Sequence, residues 1–331
     1  MPGNLFIPID YSLNGPGSDD GTQRPWNGSP VWYANNSIWV DPGVDKAQID
    51  QETHVKVRVS NKGDTLMKAV TVDAWFFVPG IGDMSPSSAL KRFSSGQLDI
   101  KAGESVVFTA DASPVWKPSD PELAKTQGGH GCIIANCYQS DEVVANPEGA
   151  PVGETTPVDP TVDQHLGQRN ITLVKVSQDD APAPQKVPYT TFPPRGGNPE
   201  VMVNASPANP RIDRIDPTSE FVLASQEGIE AFEAGMDGGS GLNLITSGGP
   251  VEIRPSTDPP SFELSAEGMP RELGTRFRFD EGRPDQIDSE IMVRLPANAE
   301  IGSLHTFDLG MYDADDVLIG SGLRVLVLVT E

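Results

Sequence analysis

Short stretches of alternating apolar and polar residues, each ended by turn-forming residues, constrain the fold of this chain most strongly. The stretch HVKVRVS at 54–60 places three valines on one face and Lys56 and Arg58 on the other, which is the period of a strand. The turn signal NKGD follows at 61–64, and AVTVDAWFF at 69–77 is a second strand. Strands that recur about every ten residues between such turns are typical of Ig-like sandwiches. We therefore predict an all-β protein.

The domain organisation follows from length and from the distribution of proline and glycine. A chain of 331 residues exceeds one average domain, and its 31 prolines and 33 glycines favour many turns. We predict two Ig-like β-sandwich domains joined by a Pro-rich linker, with an extended N-terminal arm and one short helix in the second domain. The boundaries are 1–30 for the arm, 31–176 for the first sandwich, 177–199 for the linker, 200–331 for the second sandwich and 227–235 for the helix.

The charge of the chain bears on its partners and location. A net charge of -23 repels phosphate backbones and anionic lipids, so we expect no nucleic-acid partner and no binding to membrane surfaces. No stretch has the roughly 20 apolar residues of a membrane span. The N-terminal residues also lack the basic and apolar regions of a Sec-type signal, which leaves a cytoplasmic location open.

Three sequence stretches in the first domain carry a resemblance to a known family. They are VKVRVSNKGDTLMKAVTVDAWFF, with Asn61, Gly63 and Ala69 at the turn, then IKAGESVVFTAD, and finally QRNITLVKV. Over residues 36–176 the chain resembles the bacterial and archaeal CARDB/APHP-type adhesion sandwiches, a branch of the Ig-like domains. This resemblance implies an extracellular or cell-surface protein for adhesion or scaffolding, rather than an enzyme. We also expect self-assembly or a protein partner, with contacts made through the N-terminal arm at 1–30.

The stretch GGHGCIIANCYQSDE at 128–142 gathers side chains that can bind metals or react. Cys132 and Cys137 are five positions apart, so in one strand they point to opposite faces, and one should face the core while the other faces outward. They therefore cannot share a zinc ion or form a disulfide with each other.

A site at the end of the first sandwich remains as an alternative. It would join His130 to Asp163 and His165 across the long loop predicted at 141–169. Long loops in compact domains are often functional. A hydrolase with a site in this loop is our second alternative function.

Aromatic and acidic residues suggest two further ligands. Trp32, Tyr33 and Trp39 could stack on sugar rings, which makes a carbohydrate-binding module the first alternative function. We predict no cofactor, although Asp313, Asp315 and Asp316 form an acidic turn whose oxygens could bind calcium. The main prediction is a non-enzymatic structural or adhesion protein that acts through protein contacts.

Overall fold

The computed structural model describes most of the chain, and its architecture is all-β. The described residues are 3–9, 19–22, 24, 32–35, 37–42, 46–124, 126, 129–194, 200–207, 242–246, 249–255, 261–266, 276–279 and 286–330. The helix predicted at 227–235 lies outside them. Within the described ranges, no helix has the length and apolar character needed to cross a membrane.

The strands of the N-terminal half range from two to twelve residues in length. They are β1 (Leu5–Phe6), β2 (Ile38–Asp41), β3 (His54–Asn61), β4 (Met67–Phe77), β5 (Gly80–Gly82), β6 (Lys91–Ser95), β7 (Leu98–Ile100), β8 (Ser105–Asp111), β9 (Cys132–Gln139) and β10 (Leu166–Ser177). A 3-10 turn at Pro86–Ser88 and one α-helical turn, α1 (Asp120–Leu123), lie between them.

The strands of the C-terminal half complete the described structure. They are β11 (Gln185–Phe192), β12 (Glu200–Pro207), β13 (Leu242–Thr246), β14 (Gly249–Pro255), β15 (Ser261–Ala266), β16 (Arg276–Arg278), β17 (Ile287–Arg294), β18 (Ser303–Tyr312) and β19 (Leu323–Thr330).

The first sandwich is a sheet that bends back on itself. Its strands pair in the order β1, β3, β8, β6, β4, β9 and β10, with β2 on β3 and β7 on β4. Only two residue pairs join β6 to β8. Val57 and Phe108 therefore belong to the same buried cluster as Val72 and Ala135, with strands β3 and β8 facing β4 and β9.

The second sandwich has two distinct layers. One layer continues from β10 through β19, β18, β12 and β16, and the other pairs β15, β17, β11 and β5 in that order. The alternating residues of β17 and β19 supply Ile291, Val293, Val325 and Val327 to the buried cluster between the layers. Each of these four side chains is fully buried.

Strand β10 belongs to both sandwiches. Residues 166–170 pair with β9 in an antiparallel ladder, and residues 171–177 pair with β19 in a parallel ladder. The chain passes from one sandwich to the other within a single strand of twelve residues.

The segment predicted as a Pro-rich linker, 177–199, contains the strand β11 (Gln185–Phe192). Strand β11 pairs with β17 along its length and with β5 at its end. Pro188 is exposed and lies before the part of β11 that pairs with β5. One edge of β11 is thus open at this point, and such an edge tolerates a residue that lacks an N–H group.

Strand β9 is buried on both faces, which changes the prediction for its cysteines. Cys137 lies in the core of the first sandwich, and Cys132 lies on the opposite face, as the spacing predicts. The prediction that one of them faces outward is wrong, because both are fully buried. The outer cluster includes Val158 from the loop after β9 and Phe192 from β11, which cover that face. Both cysteines are free thiols.

Candidate functional site at the N-terminal strand

The N-terminal strand segment, residues 3–9, is an integral part of the first sandwich. Leu5, Phe6 and Ile7 are consecutive and all fully buried, and Leu5 and Ile7 belong to the main core cluster. Strand β1 pairs antiparallel with β3, with Leu5 opposite Asn61. The predicted arm therefore contributes an edge strand and core side chains to the sandwich.

The loop between β9 and β10, residues 140–165, forms hydrogen bonds with the edge of this segment that faces away from β3. The Ile7 N–H donates to the Gln164 carbonyl at 3.1 Å. The Leu5 N–H donates to the Glu148 carboxylate at 2.9 Å, and the Gln164 amide donates to the Leu5 carbonyl at 3.0 Å. These bonds satisfy the backbone groups of β1 that do not face β3, so the segment is bonded along both edges.

A buried ion pair holds the far end of the same segment. Asp19 and Arg24 lie 2.8 Å apart, and their side chains are 0% and 3% exposed. Asp19 accepts the Ile9 N–H at 2.9 Å, and Arg24 donates to the Ile7 carbonyl at 3.3 Å. Our sequence analysis missed this pair. The sequence feature that could have indicated the pair is that Arg24 is the only lysine or arginine in residues 1–45.

His165 carries a positive charge beside the N-terminal strand segment. Its Nδ1 lies 2.7 Å from the Asp163 carboxylate, and its Nε2 lies 3.8 Å from Glu148. Burial lowers the pKa of His165, but the two carboxylates outweigh it and raise the pKa to about 9. The hydrogen bonds from His165 overcome the effect of burial on Asp163 and hold the pKa of that carboxyl below its usual value.

These charges make His165 a structural cation at neutral pH. A protonated imidazole cannot accept a proton, so it is a poor general base. The His165 Nε2 lies 3.8 Å from Glu148, the carboxylate that accepts the Leu5 N–H. The charge of His165 is thereby linked to the binding of the N-terminal strand segment.

The predicted site joining His130 to Asp163 and His165 is not formed. The Cys137 N–H bonds to the His165 carbonyl, whereas His130 precedes Cys132 at the opposite end of β9. Seven positions along the extended chain separate His130 from Cys137, and at strand spacing this is roughly 20 Å. His130 is itself buried, and its backbone forms an isolated antiparallel β-bridge with Lys46. The spacing along the sequence could not show that the two histidines lie at opposite ends.

Two of the three aromatic residues predicted to bind sugar are buried instead. Trp32 and Tyr33 are 5% and 8% exposed and meet edge to face, with ring centroids 5.2 Å apart. They form a small cluster with Ile9 and Leu318, between the N-terminal region and the second sandwich. Neither ring offers a face for stacking on a sugar. Trp39 is half-buried on β2, and sugar binding there stays a prediction.

Tyr33 lies beside a buried ion pair of the second sandwich. Arg324 is fully buried and donates two bonds of 2.9 Å to the Asp308 carboxylate. Burial and the negative charge of Asp308 raise the pKa of Tyr33 well above its usual value. The tyrosine therefore stays neutral and adds its ring to the contact between the sandwiches.

Buried polar side chains also join the two sandwiches. The Asn170 amide donates to the Gly80 carbonyl at 2.6 Å and to the Ser321 hydroxyl at 3.0 Å. Gln168 donates to the same hydroxyl, and also to the Cys132 sulfur at 3.0 Å. Burial raises the pKa of Cys132 to about 12, so this thiol is not ionised near neutral pH. We call Gln168, Asn170 and Ser321 the junction.

In the acidic turn at 313–316, the first carboxylate, that of Asp313, accepts hydrogen bonds from backbone N–H groups. Asp313 accepts the N–H groups of Asp315 and Val317, each at 2.9 Å. Asp315 and Asp316 are exposed. Within the described residues, no group of three or more His, Cys, Asp or Glu side chains is arranged to hold a metal ion. Calcium binding at this turn stays a prediction.

Comparisons with known proteins find only distant similarity. No protein-family model matches the chain, and no curated protein is found to be related to it. The solved structures with some similarity include the CupB6 tip adhesin of Pseudomonas aeruginosa, at 10% identity and a TM-score of 0.24, covering 89% of this chain and 98% of that one. A Mobiluncus mulieris adhesin with intramolecular disulfide, isopeptide and ester cross-links has 10% identity and a TM-score of 0.21, covering 89% and 97%. Similarities of this size assign neither a family nor a function, and the CARDB/APHP resemblance stays a prediction.

Proposed function

We propose that this protein is a non-enzymatic structural or adhesion protein that assembles by exchanging its N-terminal strand segment with a second copy. The observation that carries the proposal is the run of three fully buried apolar residues, Leu5, Phe6 and Ile7, in the N-terminal strand segment, whose strand β1 lies at a sheet edge. Added edge strands bind through main-chain bonds for affinity and through side-chain pockets for specificity.

Exchange between copies would recreate every contact that the strand makes within one chain. The groove consists of β3 on one side and of Glu148 and Gln164 on the other, and two copies would fill two identical grooves. Because the contacts are the same, the balance between the two forms depends on protein concentration and on the connecting segment. An extracellular or cell-surface location agrees with the family resemblance and belongs to this proposal.

A pair of engineered cysteines tests the exchange directly. Continued by one residue, the register of β1 and β3 places position 4 opposite position 62, where the Lys62 N–H donates to the Asn4 carbonyl at 3.0 Å. Asn4→Cys and Lys62→Cys should therefore form a disulfide in the full chain. The native thiols are fully buried and do not compete. The protein is incubated at rising concentration, oxidised and run on a non-reducing gel.

The two arrangements give different gels. Exchange predicts covalent dimers or longer chains that increase with concentration and disappear on reduction. A single monomer band at every concentration, with free thiols consumed, would mean that the strand always binds its own chain. The proposal would then be wrong. Each single-cysteine variant serves as the matched control for random cross-linking.

A further inference from the structure

The parallel direction of strands β10 and β19 determines how the ladder between them responds to a pulling force. Seven consecutive residue pairs join the strands, from Ile171 with Arg324 to Ser177 with Thr330. Both strands run away from the first sandwich, because residues 166–170 of β10 are held there by β9. The end of β19 at Thr330 is thus the far end of the ladder.

Tension between the first sandwich and the end of β19 would shear this ladder. The first sandwich would hold β10 at its beginning, and the pull would draw β19 forward along its own axis. Sliding of two strands past each other strains all the bonds of the ladder together. A pull across one end instead breaks them one after another.

We propose that the β10–β19 ladder is a mechanical clamp that lets the two sandwiches transmit tensile force along the chain. Strand β19 also pairs with β18 on its other side, over six further residue pairs, so it is a central strand. Drawing it out along its axis would shear both ladders.

Packing adds to the resistance of β19. Every residue from Leu323 to Val329 is buried. Val325, Val327 and Val329 lie in the core between the two layers, and Leu326 and Leu328 are each only 1% exposed. Sliding this strand would remove apolar side chains from both of its faces at the same time, which costs free energy in proportion to the exposed area.

The junction keeps the sandwiches together while β19 is pulled. Asn170 is the last residue of β10 paired with β9, and its side chain bonds to Gly80 and Ser321. The Gly82 N–H donates to the Ser321 carbonyl at 3.0 Å, and the Ser321 N–H donates to the Gly82 carbonyl at 2.7 Å. Ser321, just before β19, is therefore tied to β5 through its backbone and to β10 of the first sandwich through its hydroxyl, which accepts from Gln168 and Asn170. The clamp does not depend on strand exchange, since all of these contacts lie within one chain.

Single-molecule force spectroscopy on the full chain can compare two pulling directions through the same ladder. One handle is a tag after Glu331. For shear, the second handle is attached through Lys101→Cys, an exposed position between β7 and β8 in the first sandwich. For the matched control it is attached through Asp179→Cys, which is exposed just after β10. There the Gln178 N–H bonds to the Thr330 carbonyl, so this pull separates the strands from one end.

The handles should bind only where intended. Burial raises the pKa of both native thiols, and the thiolate is the reactive form, so a maleimide should modify the engineered cysteine alone. Circular dichroism and thermal midpoints of the two variants should match before they are pulled.

The expected result is a rupture force several-fold higher for the Lys101 handle than for the Asp179 handle at the same loading rate. The rate of forced unfolding depends on the barrier in the direction of pulling, so one fold can give two forces. Equal forces in both directions would overturn the proposal. Separation of the intact sandwiches before β19 unfolds, seen as a short early extension at low force, would overturn it as well.

Discussion

The clearest consequence of the structure is that the N-terminal strand segment should be needed for the stability of the first sandwich. Ile7 is fully buried and packs against the backbone of Gly167, where an added Cβ would lie 2.7 Å from the Ile7 side chain. Ile7→Ala should lower the free energy of unfolding by about 2–5 kcal/mol, because the rigid strand β10 cannot move in to fill the space.

Removing residues 1–9 should have a larger effect. Full burial of Leu5, Phe6 and Ile7 contributes about 1.5–3 kcal/mol each, or about 5–9 kcal/mol together. That loss is comparable with the total stability of a typical domain, about 5–15 kcal/mol. The shortened chain should therefore leave the first sandwich marginal or unfolded. A terminus that served only as a tether could be removed without this cost.

Urea unfolding followed by tryptophan fluorescence measures the free energy of unfolding of the first sandwich. All five tryptophans lie within the first 116 residues, and Trp75 and Trp116 are buried in the first sandwich. Leu66→Ala is the control, since Leu66 is 44% exposed and should change stability by no more than about 0.5 kcal/mol. A loss below about 1 kcal/mol for Ile7→Ala would refute the reasoning.

Two further predictions test charges and packing. The pKa of His165 is raised to about 9, so its stabilising charge is fully present below the unfolded-state pKa near 6.5 and is lost as pH rises through 9. His165→Gln should cost about 2–3 kcal/mol at pH 7 and almost nothing at pH 10 relative to the unmodified chain, and an equal cost at both pH values would contradict this. Gly322→Ala should lower the thermal midpoint, because its Cβ would lie 2.5 Å from the Tyr33 ring, at a cost of about 1–3 kcal/mol. Gly96→Ala, whose Cβ would meet nothing within 4 Å, is its control and should leave the midpoint unchanged.

Local patterns in the sequence predicted the individual strands well. The stretches HVKVRVS, AVTVDAWFF and SVVFTAD lie within β3, β4 and β8. The continuous apolar run VLVLV at 325–329 lies in β19, a central strand whose residues in this run are all buried. In each case the period of the side chains reflects which faces of that strand are buried, so the information is local.

The missed features depend on partners far away in the sequence. The prolines in 177–199, Pro188 among them, indicated a linker. The strand in this segment was missed because its partner, β17, begins about a hundred residues later at Ile287. The burial of Trp32 and Tyr33 depends on Leu318 in the second sandwich. A single sequence shows that such residues are apolar, but it does not show which distant surface covers them.

The two proposals require different parts of this fold to open under different conditions. Strand β1 has only two residue pairs with β3, whereas β19 has seven with β10 and six with β18. Release of the N-terminal strand segment exposes three fully buried side chains, whereas release of β19 exposes seven buried residues, so the N-terminal segment opens at the lower free-energy cost. The N-terminal strand segment can therefore exchange between copies while β19 stays in place. Strand exchange and force transmission are therefore compatible. The strand that is released, β1, lies at a sheet edge, and the strand that resists force, β19, lies between β10 and β18. Measuring amide hydrogen exchange would check this order: the amides of Leu5 and Ile7 should exchange well before those of Val325 and Val327.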